Sequence, residues 1–411
     1  MKKFIALILV LVCVFGLVGC TTDATVFNYT SIKKTCEEER TIPRVDIDTN
    51  GVRIKSKEEY VDCTVSISGT EIENYEAGIR GRGNSTWGLP KKPYRIKFDE
   101  KVSLFGEEKN KSWVLLALYG DYSAVKDKLA FTMADAIGTN SFVPSYNYVE
   151  LYLNGKYNGL YLLTDQVDEN SGRTGVKEKF SADDVEVPFL VELDAYAPDE
   201  GVEGVDWFKI DGSYFAIKYP EVDERYTKEQ FEYIKQYIID VDNACKEGSI
   251  EKLSALVDID SFIDYYLVQE AMGQAEINWK SVYMSKTKDG LMKMGPIWDF
   301  DWSAMGSSIG KHRDINKDRI EGYYSDNNWF DRMIRNSPEF KVLVSDRFEE
   351  VKSTLLAVID DAREEYSILK PYYLRNHLRW HWFRVWANQE EYYNEVLDWV
   401  TKRIEWMDTV L

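Results

Sequence analysis

GPIWDFDW, residues 295–302, alternates between an apolar face and a face that carries two carboxylates. Counting by twos back from Trp302 gives Phe300, Trp298, Pro296, Met294 and Met292, whereas the opposite face carries Leu291, Lys293, Gly295, Ile297 and then Asp299 and Asp301. Such a pattern predicts a strand with one side on a core, because successive side chains of a strand point to opposite faces. Asp299 and Asp301 then project together, roughly 6.6 Å apart at a strand rise of ~3.3 Å per residue. Ionised carboxylates at that spacing repel unless a cation or a shared proton lies between them. A divalent metal resolves the conflict; a plain loop pair of aspartates is the alternative. A glycosidase acid and base pair also stands ~5–9 Å apart, but neighbours on one strand face are poorly placed to straddle a sugar bond.

Upstream, the period of two recurs in Val45–Asp48, Cys63–Ile67 and Tyr94–Phe98. Tyr148–Leu163 reads as a hairpin, since Asn154-Gly155 is the favoured pair for a tight turn and both flanks alternate. Phe189–Leu193 and Tyr214–Tyr219 add further strands. Helical periods occupy Ser123–Ile137 (stopped by Gly138), Thr227–Cys245, Ile250–Leu256, Ile259–Met272 and most of roughly the final hundred residues, where Tyr372, Trp382, Trp386 and Trp399 are core candidates. A polar break at Glu169–Asp184 divides the chain. The expectation is an α+β, two-lobed protein with a β-rich N-terminal lobe over 43–184 and a helix-rich C-terminal lobe over 185–411. A length of 411 residues also exceeds what one core ordinarily supports.

Met1–Cys20 has a basic start, an apolar run and small residues before a cysteine. It reads as a secretory signal over 1–19, and its Leu17-Val18-Gly19-Cys20 ending looks like a lipobox, which makes Cys20 the lipidation site and 20–42 a membrane-proximal spacer. An uncleaved anchor is the alternative, and both readings place the chain outside the cytoplasm. With 70 acidic against 51 basic residues and a net charge of −19, the surface repels phosphate backbones, so nucleic acid is not an expected partner. For Cys36 and Cys63 a bridge and two separate buried thiols both remain open. Twelve tryptophans and 27 tyrosines leave room for a surface scaffold or carbohydrate binder that stacks sugars on aromatic rings.

Two further clusters compete for chemistry. Arg80, Arg82, Asn84 and Ser85 lie among Gly78, Gly81, Gly83 and Gly88, and glycine-rich loops let backbone amides and arginine forks reach phosphate oxygens. An ordinary glycine-rich turn is the other reading. Lys97 alternates out of the strand that carries Tyr94, Ile96 and Phe98, either as a phosphate ligand or as a solvated lysine. His377 and His381 are one helical turn apart, yet no His-Glu-x-x-His pattern accompanies them, which favours a structural role.

Arg82–Trp87 (RGNSTW), Lys91–Phe98 (KKPYRIKF), Val149–Asp168 (VELYLNGKYNGLYLLTDQVD), Ile217–Glu221 (IKYPE), Ser281–Met284 (SVYM) and the opening stretch occur in this order. Together they resemble the CotH family, spore-coat kinases with an atypical protein-kinase fold. The resemblance implies an ATP-dependent protein Ser/Thr kinase acting on a cell-surface or spore-coat protein, with Mg²⁺ or Mn²⁺ held by Asp299 and Asp301. It implies nucleotide contacts from Arg80, Arg82, Asn84, Ser85 and Lys97, with Asp165 as a partner for the lysine. It places Glu276 of Gln274-Ala275-Glu276 where the family shows its catalytic aspartate. A glutamate also accepts a proton, but its extra methylene displaces the carboxylate by more than ~1 Å, enough to cost on the order of 10²-fold in rate. A non-catalytic pseudokinase is therefore the alternative.

Overall fold

Alternating apolar side chains of seven strands point into one interior and close a sheet upon itself. The computed structural model describes residues 34, 36–168, 174–220, 226–310, 313–380 and 389–411. The strands are β1 (Arg44–Asp48), β2 (Val61–Ile67), β3 (Tyr75–Gly81), β4 (Tyr94–Val102), β5 (Asn110–Leu116), β6 (Asn147–Leu153) and β7 (Lys156–Asp165). They form a closed barrel in the order β1-β2-β3-β4-β5-β7-β6, and the parallel β1–β6 pair, Arg44 opposite Glu150, closes it. Val45, Ile47, Val65, Ile79, Ile96, Phe98, Trp113, Leu151, Tyr161 and Leu163 fill the interior. Asn154 and Gly155 both adopt positive φ, +50° and +71°, the geometry that a two-residue hairpin turn requires.

Helix α1 (Lys126–Ala136) follows the barrel's fifth strand. It begins later than its periodicity predicts because Ala124 has φ +56°; Asp121 Oδ2 then accepts the amide of Lys126 at 3.1 Å. A second, five-stranded sheet has the order β12-β11-β8-β10-β9. Its members are β8 (Phe189–Leu193), β9 (Trp207–Ile210), β10 (Ser213–Tyr219), β11 (Val282–Lys286) and β12 (Lys293–Met294). The remaining helices are α2 (Ala197–Glu200), α3 (Lys228–Glu247), α4 (Ile250–Ser254), α5 (Ile259–Ala271), α6 (Trp329–Asn336), α7 (Pro338–Trp380), which packs on barrel strand β7 and on α1, and α8 (Gln389–Val410), which packs on α5 and α7. Residues 41–411 form one compact unit, β-rich first and helical later. Among the described residues no helix is long and apolar enough to cross a membrane.

The opening stretch is not the expected strand. β12 ends at Met294, where Pro296 offers no N–H to a ladder, and Asp299 takes φ +67°. Trp298 and Phe300 are nevertheless buried, which is why the apolar alternation outlasts the strand. Cys63 is a buried thiol outside any disulfide, so the Cys36–Cys63 bridge is absent. Cys20, His381, Trp382 and Trp386 lie outside the described residues; His377 is buried in α7.

Helix α8 clasps the segment that follows Asp301. The Tyr392 hydroxyl meets Ser308 Oγ at 2.8 Å, and Trp399 Nε1 donates to the Asn316 and Lys317 carbonyls at 3.2 and 3.1 Å. Arg403 donates to the Ile320 carbonyl and, from Nη2, to Glu270 Oε2 of α5, both at 2.6 Å.

Candidate active site

Where the β3–β4 loop, the segment after β5 and the second sheet converge, they enclose a cleft of about 230 Å³. Asp299 and Asp301 form part of its wall. The left-handed turn at Asp299 directs Oδ2 to Lys280 Nζ at 3.2 Å and Ser281 Oγ at 3.0 Å, both of which donate to it. Gln274 braces the same turn: its Nε2 donates to the Asp299 carbonyl at 2.7 Å and its Oε1 accepts the Glu276 amide at 3.2 Å. Gly120 stands where a Cβ would come within 2.7 Å of Asp301 Oδ2, so only a residue without a side chain leaves that carboxylate its place. Asp127, buried at the start of α1, accepts the Phe300 amide on Oδ1 at 2.8 Å and fixes the backbone between the two aspartates.

These contacts split the acids electrostatically. Burial works to raise Asp299, but Lys280 and Arg82 outweigh it and hold its carboxyl below the usual range. Asp301 is pushed up to about 7 by burial and then by the charge of Asp299. Glu276 is pushed up to about 8, first by burial and next by Asp299, against the opposing pull of Lys280. Its Oε2 lies 2.8 Å from Lys280 Nζ, although neither carboxylate oxygen receives a well-aligned hydrogen bond. Glu276 is 1 % exposed and does not line the cleft; it stands behind Lys280.

The glycine-rich loop reaches the site in part. Arg82, Asn84 and Ser85 line the cleft, with the Arg82 guanidinium 5.6 Å from the Trp298 ring centre. Arg80 instead lies over the Tyr60 ring at 5.2 Å and does not line the cleft. The predicted face of Lys97 is correct, since Ile96 and Phe98 fill the barrel, but its outward face opens on a separate depression with Tyr60, Asp62 and Glu76. Asp165 is buried on β7, where Oδ2 accepts the Ser145 amide at 2.8 Å. Lys97 and Asp165 are therefore not brought together at the cleft.

Two lysines absent from that expectation, Lys218 and Lys280, line the cleft instead. Lys218 of β10 lines the cleft, 3.0 Å from Glu192 Oε2 and 3.6 Å from Asp194 Oδ2. Its signal was present in the IKYPE motif. Lys280 was legible as the i+4 partner of Glu276 one turn before the SVYM strand, a spacing that places two side chains on one face. Lys126 is fully buried and donates to the Gly306 carbonyl at 2.6 Å; nothing in its sequence surroundings marks it.

Among the described residues no three or more His, Cys, Asp or Glu side chains are arranged to hold a metal ion unaided. Asp299 and Asp301 are the carboxylates in the cleft that would hold a hard divalent cation, with phosphates and water as its remaining ligands. Asp301, raised first by burial and then by the charge of Asp299, gains an opposite charge from such a cation, so the residues fit it. A family model described as CotH kinase protein matches residues 79–407, most of the chain. Comparison with curated proteins finds no match.

Proposed function

Because the chain belongs to the CotH kinase family, we propose that it transfers the γ-phosphoryl group of ATP to a Ser or Thr hydroxyl of a protein on the cell or spore surface. The observation that carries this reading is the run Glu276–Lys280–Asp299, in which one ammonium stands 2.8 Å from the base candidate and 3.2 Å from the metal-ligand candidate. Phosphoryl transfer needs positioning and charge neutralisation more than covalent chemistry, and the cleft offers both. Asp299 and Asp301 would hold Mg²⁺ or Mn²⁺, which when bound neutralises charge on the phosphoryl oxygens. Arg82 and Lys218 take the phosphate contacts that Lys97 does not reach, with Asn84 and Ser85 beside them. Glu276 accepts the acceptor hydroxyl's proton once Lys280 has moved aside.

The test is transfer of labelled phosphate from ATP to candidate acceptors by the full chain in Mn²⁺. Asp299→Ala is expected to lose at least ~10²-fold in rate, the scale for removing a fixed charge-stabilising group; equal label in both proteins overturns the reading. A pseudokinase that only binds nucleotide is the second reading, favoured by Glu276 lying outside the cleft wall. Glu276→Asp separates the two, because gain of transfer points to a kinase slowed at one position.

Lipid on Cys20 is the proposed tether to the membrane. Metabolic labelling with an alkyne-bearing fatty acid should mark the chain and leave Cys20→Ala unmarked; label on both refutes the tether.

A further inference from the structure

Lys280 is tied to both acids by local geometry. The Trp279 and Lys280 amides donate to the Glu276 carbonyl at 3.0 and 3.1 Å, a turn that folds Lys280 back over Glu276. Ser281 then reverses the chain with φ +58° and adds its own hydroxyl to Asp299. The ammonium ends between Glu276 and Asp299, with the Trp279 and Trp302 rings 5.5 and 5.9 Å away. Its side chain is 16 % exposed, against 31 % for that of Asp299 and 2 % for that of Glu276. It thus stands on the cleft side of Glu276 and against Oδ2, one of the two oxygens that Asp299 offers a divalent cation.

We infer that Lys280 is a resident counter-ion that bars a free divalent cation from Asp299 and yields its place only when nucleotide phosphates enter the cleft. A divalent cation on the same carboxylate would stand close to the Lys280 ammonium, and like charges so near each other in a partly enclosed site repel strongly. A lysine has a four-carbon flexible stem and a single mobile charge, so a polyphosphate beside Asp299 offers it an alternative partner. Once it has moved, Asp299 is open to the metal and Glu276 loses the group that stood before it. Metal and nucleotide therefore enter together, and neither is held tightly alone. This inference rests on the kinase reading of the cleft, and it assigns Lys280 a positioning and gating role.

The experiment is a Mn²⁺ titration of the full chain, read by the electron paramagnetic resonance of free Mn²⁺, with and without a non-hydrolysable ATP analogue. The wild-type chain should bind Mn²⁺ at least about tenfold more tightly when the analogue is present, a coupling within the ordinary range for linked sites. Lys280→Gln should gain about tenfold in affinity for Mn²⁺ alone and lose most of the dependence on nucleotide. Lys280→Arg keeps a cation there and should retain the dependence. Ser281→Ala removes a neutral donor from the same oxygen and should retain it too, which separates charge from loosened packing. Equal Mn²⁺ affinity with and without the analogue in the wild-type chain overturns the inference, whatever the variants do, and so does an unchanged Lys280→Gln. Absence of Mn²⁺ binding in every protein under both conditions overturns the metal role of Asp299 itself, and the kinase reading with it.

Discussion

Glu276 sits where its neutral form is favoured, and that governs how the proposed activity depends on pH. A base must be ionised to accept a proton, and burial pushes this carboxyl up to about 8. Below that pH the fraction of ionised Glu276 falls about tenfold per unit, and kcat/KM for phosphoryl transfer should fall with it. The profile should therefore rise from pH 6 to about 8 and then level. Glu276→Gln should remove the activity, and a flat profile from pH 6 to 8 in the wild-type chain rules out Glu276 as the base. In the sequence the alternation of 295–302 singles out both aspartates, and the family resemblance singles out Glu276. Neither could show Lys280 standing in front of Glu276, since that follows from the positive φ of Ser281 and Asp299, which few non-glycine residues adopt even though aspartate does so more often than most.

The second sheet shows what an element contributes. Glu192, Lys218 and Tyr283 face the cleft, while Leu193, Phe215, Val282 and Met284 line a cavity of about 210 Å³ behind the sheet. The period of two thus separates polar work from packing within the same strands. The start of helix α3 was legible for a comparable local reason, although the helix runs on to Glu247, two residues past its expected end. Thr227 Oγ1 accepts the Gln230 amide at 3.2 Å while Gln230 Oε1 accepts the Thr227 amide at 2.9 Å, a reciprocal cap. Gln230 Nε2 also donates to the Ser181 and Asp184 carbonyls at 2.9 and 2.8 Å. Thr227→Ala should cost about 1 kcal/mol, read as a lower urea midpoint with an unchanged slope, and Gln230→Ala should cost more because it strands two further carbonyls. The stretch 295–302 was illegible in the opposite sense. Its alternation is real, but Pro296 ends the ladder and the buried rings of Trp298 and Phe300 keep the period without a strand.

At the scale of the molecule, distant parts of the sequence meet at one buried ion pair. Arg403, 0 % exposed, donates to Glu270 Oε2 and to the Glu270 carbonyl at 2.9 Å. Glu270 in turn accepts the Tyr324 and Ser325 amides, so α5, α8 and the 320–325 segment share one carboxylate. Arg403→Met leaves that carboxylate buried without its charge partner and should cost roughly 3–5 kcal/mol of stability, measured by chemical denaturation; a loss below about 1 kcal/mol would show the pair to be dispensable. The α+β character and the barrel strands were readable from periodicity, whereas this link between residues far apart in sequence was not, because pairing at such separation leaves no local pattern. The grip of α8 on residues 308–320 also sets an order of events during synthesis. The barrel, the glycine-rich loop and both aspartates leave the ribosome before Gln389–Val410 exists, so a nascent chain carries every cleft residue yet lacks the clasp that holds the stretch after Asp301. The stretch after Asp301 is therefore clasped only once Gln389–Val410 has been made.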